Sequence, residues 1–188
     1  SLSLNANGTN TVSATATDAA GNTSAPGTQT LTIDTTLPDA PTVTTALTNS
    51  TTPTLTGTAE ANATVTVTVG GATYTTTASG TGAWSVNLAT ATPTAGSLSL
   101  NPNGSNPVSA TATDAAGNTS APGTQTLTID TNAPNAPAVT SAALTKNATP
   151  TLTGTAETGS TVTVTIGGAT YTTTATNGTW SLNLATAT

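Results

Sequence analysis

The chain repeats itself, and nothing else in it constrains the fold as strongly. Residues 1–34 read SLSLNANGTNTVSATATDAAGNTSAPGTQTLTID, and residues 97–130 give almost the same string, so that Ile33 and Ile129 stand 96 residues apart. The other half of the repeat recurs too: PTLTGTAE at 53–60 returns at 150–157, an offset of 97, and Trp84 returns as Trp180, an offset of 96. Self-similarity at a fixed period defines the unit of folding before any element is assigned. A unit of this length is the size of one small domain. The chain therefore divides into the second part of one unit (1–34), one whole unit (35–130) and the first part of another (131–188).

Only 4% of residues are charged and 34% are hydrophobic. A disordered chain pairs few apolar residues with high net charge; here the apolar residues fall in alternating runs, which points to a folded all-β chain. There is no cysteine, hence neither a disulfide framework nor thiol chemistry. There is no histidine, and Lys146 is the only basic residue, which removes most general bases and any phosphate clamp. A formal net charge of −6 gives no electrostatic support to nucleic-acid binding. No apolar run approaches the length of a membrane-spanning helix. The first residues do not read as a signal peptide, so any secretion signal is expected outside this segment.

Thr64–Val69 reads TVTVTV, strict alternation that puts Val65, Val67 and Val69 on one face and threonines on the other. Gly70-Gly71 follows, then Ala72–Thr77, so a tight hairpin is expected, both glycines being free to take positive φ. Further strands are expected at Pro41–Thr45, Pro53–Ala59, Trp84–Leu88, Val108–Thr113 and Thr124–Ile129, the first at a sheet edge because of its proline. These seven strands, A to G in order, with turns every 8 to 15 residues, fit tandem Ig-like two-sheet β-sandwiches, one complete and two partial. Trp84 and Tyr74, with Trp180 and Tyr171 as their copies, are expected in the cores. Threonines read as the outward faces of strands, where β-branching suits the pleat.

Together, DTTLPDAP at 34–41, TPTLTGTAE at 52–60, GTGAWSVNL at 80–88 and SATATDAAGNTSAP at 109–122 resemble the tandem Ig-like repeats of giant bacterial surface adhesins. These include the extender regions of RTX-type and biofilm-associated adhesins. The resemblance covers the whole chain and implies an extracellular, load-bearing array. The chain departs from those repeats in its sparse acids, which argues against a dense calcium load.

Seven carboxylates remain to be placed. If strand A runs from the N-terminal pole, the B–C loop with Glu60 and the F–G loop with Asp114 both return to that pole, where Asp34 enters the unit. Asp130 and Glu157 repeat the pattern at the next junction, and Asp18 is the F–G acid of the first, partial unit. Converging carboxylates repel unless a cation neutralises them, and an all-oxygen set suits Ca²⁺. The plain reading is that each acid makes its own turn, as Asp114 in DAAGN is suited to do. Asp39 aligns with Asn135 and is not expected as an essential ligand. The linker prolines, Pro38 and Pro41 with copies Pro134 and Pro137, favour an extended, stiff connection.

Residues 1–34 carry strands F and G, and residues 131–188 carry A to E. A complete unit spans roughly 30–40 Å, so the two parts are not expected to complete each other within one molecule. Two readings stand: a window in a longer covalent array, with neighbours completing each part in cis, or subunits polymerising head to tail by β-strand donation in trans. Both give an extracellular fibre of adjacent identical repeats. The charge-poor surface would also allow lateral association of fibres. Composition argues against an enzyme. Two readings from other classes stay open: a carbohydrate-binding module, which would need Trp84 exposed, and ice binding by threonine ladders such as 64–68 and 161–165, which would need a flat sheet.

Overall fold

Alternation dictates strands, and strands are what the computed structural model contains; it describes residues 2–187, and no helix occurs among them. The chain forms two compact units, residues 1–131 and 132–188. The first unit opens with a hairpin of β1 (Gly8–Ala14) and β2 (Gly27–Ile33). Eight strands follow: β3 (Leu47–Thr48), β4 (Thr54–Thr58), β5 (Thr64–Val69), β6 (Ala72–Thr77), β7 (Ala83–Asn87), β8 (Ala95–Gly96), β9 (Asn103–Thr113) and β10 (Gly123–Asp130).

These eight make a two-sheet sandwich. One sheet has the order β3-β10-β9-β5-β6-β8, and the other pairs β4 with β7. Val65, Val67 and Val69 point inward as a period of two demands, meeting Tyr74, Trp84, Val86, Leu88, Val108, Leu127 and Ile129 in one core. Gly70 and Gly71 turn β5 into β6 at φ 54° and 80°, the left-handed pair that a two-residue hairpin requires.

The structure departs from expectation in three places. Strand A splits: Thr42 and Thr44 pair by backbone with Thr58 and Thr56 of β4, then Leu47–Thr48 crosses over to run parallel with β10. The long connection after β7 forms the short strand β8 on the edge at β6. Strand F begins at Asn103 and runs through Pro107, not from Val108. Its proline is accommodated because pairing with β5 ends at Val69↔Val108; beyond that point only β10 flanks the strand, an edge-like place where proline fits.

The β1–β2 hairpin repeats the pairing of β9 with β10, from Gly8↔Ile33 to Ala14↔Gly27. Its apolar face is open. Leu31 is 44% exposed where its copy Leu127 is 0%, and Val12 is exposed where Val108 is buried.

The second unit contains β11 (Ala138–Val139), β12 (Thr151–Thr155), β13 (Thr161–Ile166), β14 (Ala169–Thr174) and β15 (Thr179–Asn183). β11-β12-β15 form one sheet and β13-β14 the other. Val162, Ala175, Trp180 and Leu182 make a small core, with Tyr171 packed against it only half-buried. The end of β13 is open: Ile166 is 41% exposed where Val69 is 1%.

Candidate functional site: the repeat junction

The acids expected at the pole lead to the peptide that joins one repeat to the next. β1 and β2 pair through Gly8↔Ile33, which leaves Asn7 beside the residues leaving β2. Its Oδ1 accepts from the Thr35 backbone N–H and the Thr35 hydroxyl, both at 2.7 Å. Asp34 caps its own turn, one carboxylate oxygen accepting from the Thr36 N–H at 2.9 Å.

From the other side comes the loop between β9 and β10. Asp114 Oδ1 accepts from the N–H groups of Ala116 and Asn118, each at 2.9 Å, and Oδ2 accepts from Asn118 Nδ2 at 2.8 Å. Asn118 Nδ2 also donates to the main-chain carbonyl of Asp34 at 3.1 Å. The Asn118 amide holds the Asp114 carboxyl below its ordinary range, desolvation opposing and the loop N–H groups adding to the effect. The same loop closes in the first repeat, where Asn22 depresses Asp18.

The linker is thus gripped twice, by Asn7 of the repeat it leaves and by Asn118 of the repeat it enters. Pro38 and Pro41 lie buried beyond that grip, and a Cβ at Gly123 would collide with the Pro41 carbonyl. The exit from the central unit repeats the first half of the clamp: Asn103 Oδ1 accepts from the Thr131 N–H at 2.8 Å and its hydroxyl at 2.9 Å.

Of the expected acids, Asp34 and Asp114 are brought together, but through the Asn118 amide. Glu60 lines a cleft with Asp39, Ala40, Thr58 and Ala59, and Glu157 lines its counterpart with Asn135, Ala136, Thr155 and Ala156. Asp130 ends β10 opposite Asn103. Among the described residues no group of three or more His, Cys, Asp or Glu side chains could hold a metal ion. The Asp114 oxygens face N–H donors, and such donors compete with a cation for the lone pairs that Ca²⁺, with its six to eight oxygens, needs. The acids present do not assemble that set.

Trp84 and Trp180 are both buried, so neither offers a sugar-stacking face. The residues that sequence reasoning passed over are asparagines. A signal was there: between residues 5–11 and 101–107, positions 6, 9 and 11 change while Asn5, Asn7, Gly8 and Asn10 recur as Asn101, Asn103, Gly104 and Asn106.

Residues 42–131 match the bacterial Ig-like domain family. Among solved structures, the chain is similar to a Ca²⁺-stabilised adhesin that helps an Antarctic bacterium reach out and bind ice. The two are 32% identical over 95% of this chain and 48% of that one, with a TM-score of 0.37. The chain spans about half the length of that structure. No curated protein matches.

Proposed function

We propose that this chain, whose residues 42–131 form a bacterial Ig-like domain, is a structural repeat of an extracellular bacterial surface fibre or adhesin stalk. Its work is mechanical: sandwiches stack end to end and hold a terminal binding region away from the cell. The observation that carries the reading is the double grip on the linker, Thr35 held by Asn7 and the Asp34 carbonyl held by Asn118. A linker held by side chains of both flanking repeats, with two prolines limiting its backbone, resists bending. The return of the Thr131–Asn103 contact one repeat later supports a joint built the same way each time.

Such a joint draws its stiffness from amide hydrogen bonds and needs no cation. Calcium at Glu60, Asp34 or Asp130 would add to it rather than create it. The test is small-angle X-ray scattering of the 188-residue chain in calcium and in chelator. A rod-like profile in both is expected. Freely jointed beads in both would sink the stiff-stalk reading, and beads in chelator alone would hand the stiffness to a bound cation.

A further inference from the structure

Resting on the reading of the chain as a stalk under tension, we infer that the first half of strand A, residues 42–45, is a mechanical latch whose grip comes from threonine hydroxyls. The covalent path of a pull along the stalk fixes the place. Tension reaches the central sandwich through the linker at residues 35–41, passes first into Thr42, and leaves through β10 into Thr131. The segment that takes the load must hold on to its neighbour β4. The backbone contributes the Thr42 and Thr44 N–H groups, which donate to the Thr58 and Thr56 carbonyls, both at 2.8 Å, before the chain crosses over at Ala46.

Side chains double that ladder. The Thr58 N–H donates to the Thr42 hydroxyl at 2.9 Å, and the Thr42 and Thr58 hydroxyls bond at 2.7 Å. The Thr44 hydroxyl donates to the Thr56 carbonyl at 3.0 Å and lies 2.8 Å from the Thr56 hydroxyl. The Thr45 hydroxyl donates to the Thr54 carbonyl at 3.1 Å and lies 3.3 Å from the Thr56 hydroxyl. Alternation keeps Thr42 and Thr44 outside and Val43 against the core, so these hydroxyls add to the apolar seat without displacing it. The latch belongs to this repeat rather than to the fold, since the next repeat has Ala138 in place of Thr42 and Ser141 in place of Thr45.

Such bonds count differently at rest and under load. In free unfolding, each hydroxyl that leaves its partner is taken up by water, so its net contribution is small. Under tension the segment slips along β4, and the bonds must break together before water replaces them. They therefore raise the barrier to forced unfolding by more than they raise the stability. That difference separates a latch from ordinary stabilisation.

The test holds the 188-residue chain at constant end-to-end load and compares its unfolding rate with that in urea. The central unit identifies itself by a step of roughly 300 Å, the drawn-out length of residues 42–131. Combining Thr42→Val, Thr44→Val and Thr45→Val keeps the β-branched shape and removes the hydroxyls. This variant is expected to unfold roughly ten-fold faster under load, the loss of three hydroxyls being enough for that, with a much smaller change in urea. The matching serine set keeps the hydroxyls and should lie nearer the parent. Val86→Ala, a buried change in β7, should quicken both processes by similar factors. A valine set that behaves like Val86→Ala, or that matches the parent under load, would overturn the latch and leave the stalk reading standing. A parent chain that yields without resisting load would overturn both.

Discussion

Asn118 donates to the main-chain carbonyl of Asp34 at 3.1 Å across 84 residues of sequence. The same nitrogen bonds Asp114 Oδ2 at 2.8 Å, and a side-chain amide has two hydrogens to give. One asparagine therefore closes the loop of its own repeat and holds the linker that delivers the chain into it. The fold supplies the geometry: β9 and β10 are adjacent and antiparallel, so their connection returns to the end of the sandwich where the linker enters.

Asn118→Ala removes both bonds. The central unit should lose about 1 kcal/mol, the net worth of an ordinary hydrogen bond or slightly more. The larger effect is local, because Asp34 is freed on one side while Asn7 still holds Thr35. Hydrogen exchange at the Thr35 and Thr36 amides should quicken in Asn118→Ala and quicken further when Asn7→Ala is added. Unchanged exchange at both amides would mean that the prolines alone set the linker.

Acid should loosen the same loop. Asp114 titrates below the ordinary 3.8 because of the Asn118 amide first, and Asp18 likewise because of Asn22. A carboxyl depressed in the folded state contributes stability that is complete above its ordinary value and is lost as pH falls through the lowered one. Both groups are open to solvent, so the effect is small. Urea midpoints measured from about pH 5 to about pH 2 should fall less steeply for Asp114→Asn than for the parent chain. A parallel fall would detach this carboxylate from the acid response.

The sandwich was legible because its strands obey a period of two: Val65, Val67 and Val69 could face only one way, and Gly70-Gly71 could make only a tight turn. The crossover at Ala46 was not legible. Thr42, Thr44 and Leu47 have ordinary strand chemistry, and which sheet each joins is decided by the neighbours waiting there, Thr58 and Thr56 on one side and Thr128 on the other. At the junction, the loop that carries Asp114 reaches Asp34 only through the Asn118 amide, bonded to the Asp34 main-chain carbonyl. Charge then drew attention to the acids, although the linker is held by Asn7 and Asn118, whose amides accept and donate without carrying charge. Glu60 turned to the cleft with Asp39, a placement set by the loop after β4 and invisible to strand direction.

Gly57 shows how tightly the first segment lies on the core. A Cβ there would meet the Thr42 carbonyl and stand 2.6 Å from Cζ2 of Trp84. Neither can yield cheaply, since Thr42 is paired to Thr58 and Trp84 is buried in the core. Gly57→Ala should therefore destabilise the central unit by about 1–3 kcal/mol, the usual cost of overpacking. Gly80, with open space around its Cβ position, is the control, and Gly80→Ala should be near neutral. Denaturation followed by tryptophan fluorescence separates the two, and equal midpoints would contradict the packing described.

Asn106 is the one buried amide in the central strands, 4% exposed. Its Oδ1 accepts from the Asn101 N–H at 2.7 Å, and Nδ2 faces the carbonyls of Asn101, Gly104 and Leu127 at 3.0, 3.2 and 3.5 Å. Asn106→Asp keeps the shape and the acceptor but turns an oxygen toward three carbonyls. At neutral pH that buried, unpaired charge should cost about 3 kcal/mol. Burial and the facing carbonyls raise the new carboxyl's folded pKa, so the penalty is complete above that raised value and is relieved as pH falls through it, once the protonated group can donate again. Acidification from neutral pH should therefore narrow the gap between variant and parent, opposite in sign to the Asp114 effect. The same change at Asn10, whose hairpin face is open to water, should cost less. Urea midpoints at neutral pH and near pH 4 decide it, and an Asn106→Asp gap that widens in acid would show that the amide's donors are not what the position requires.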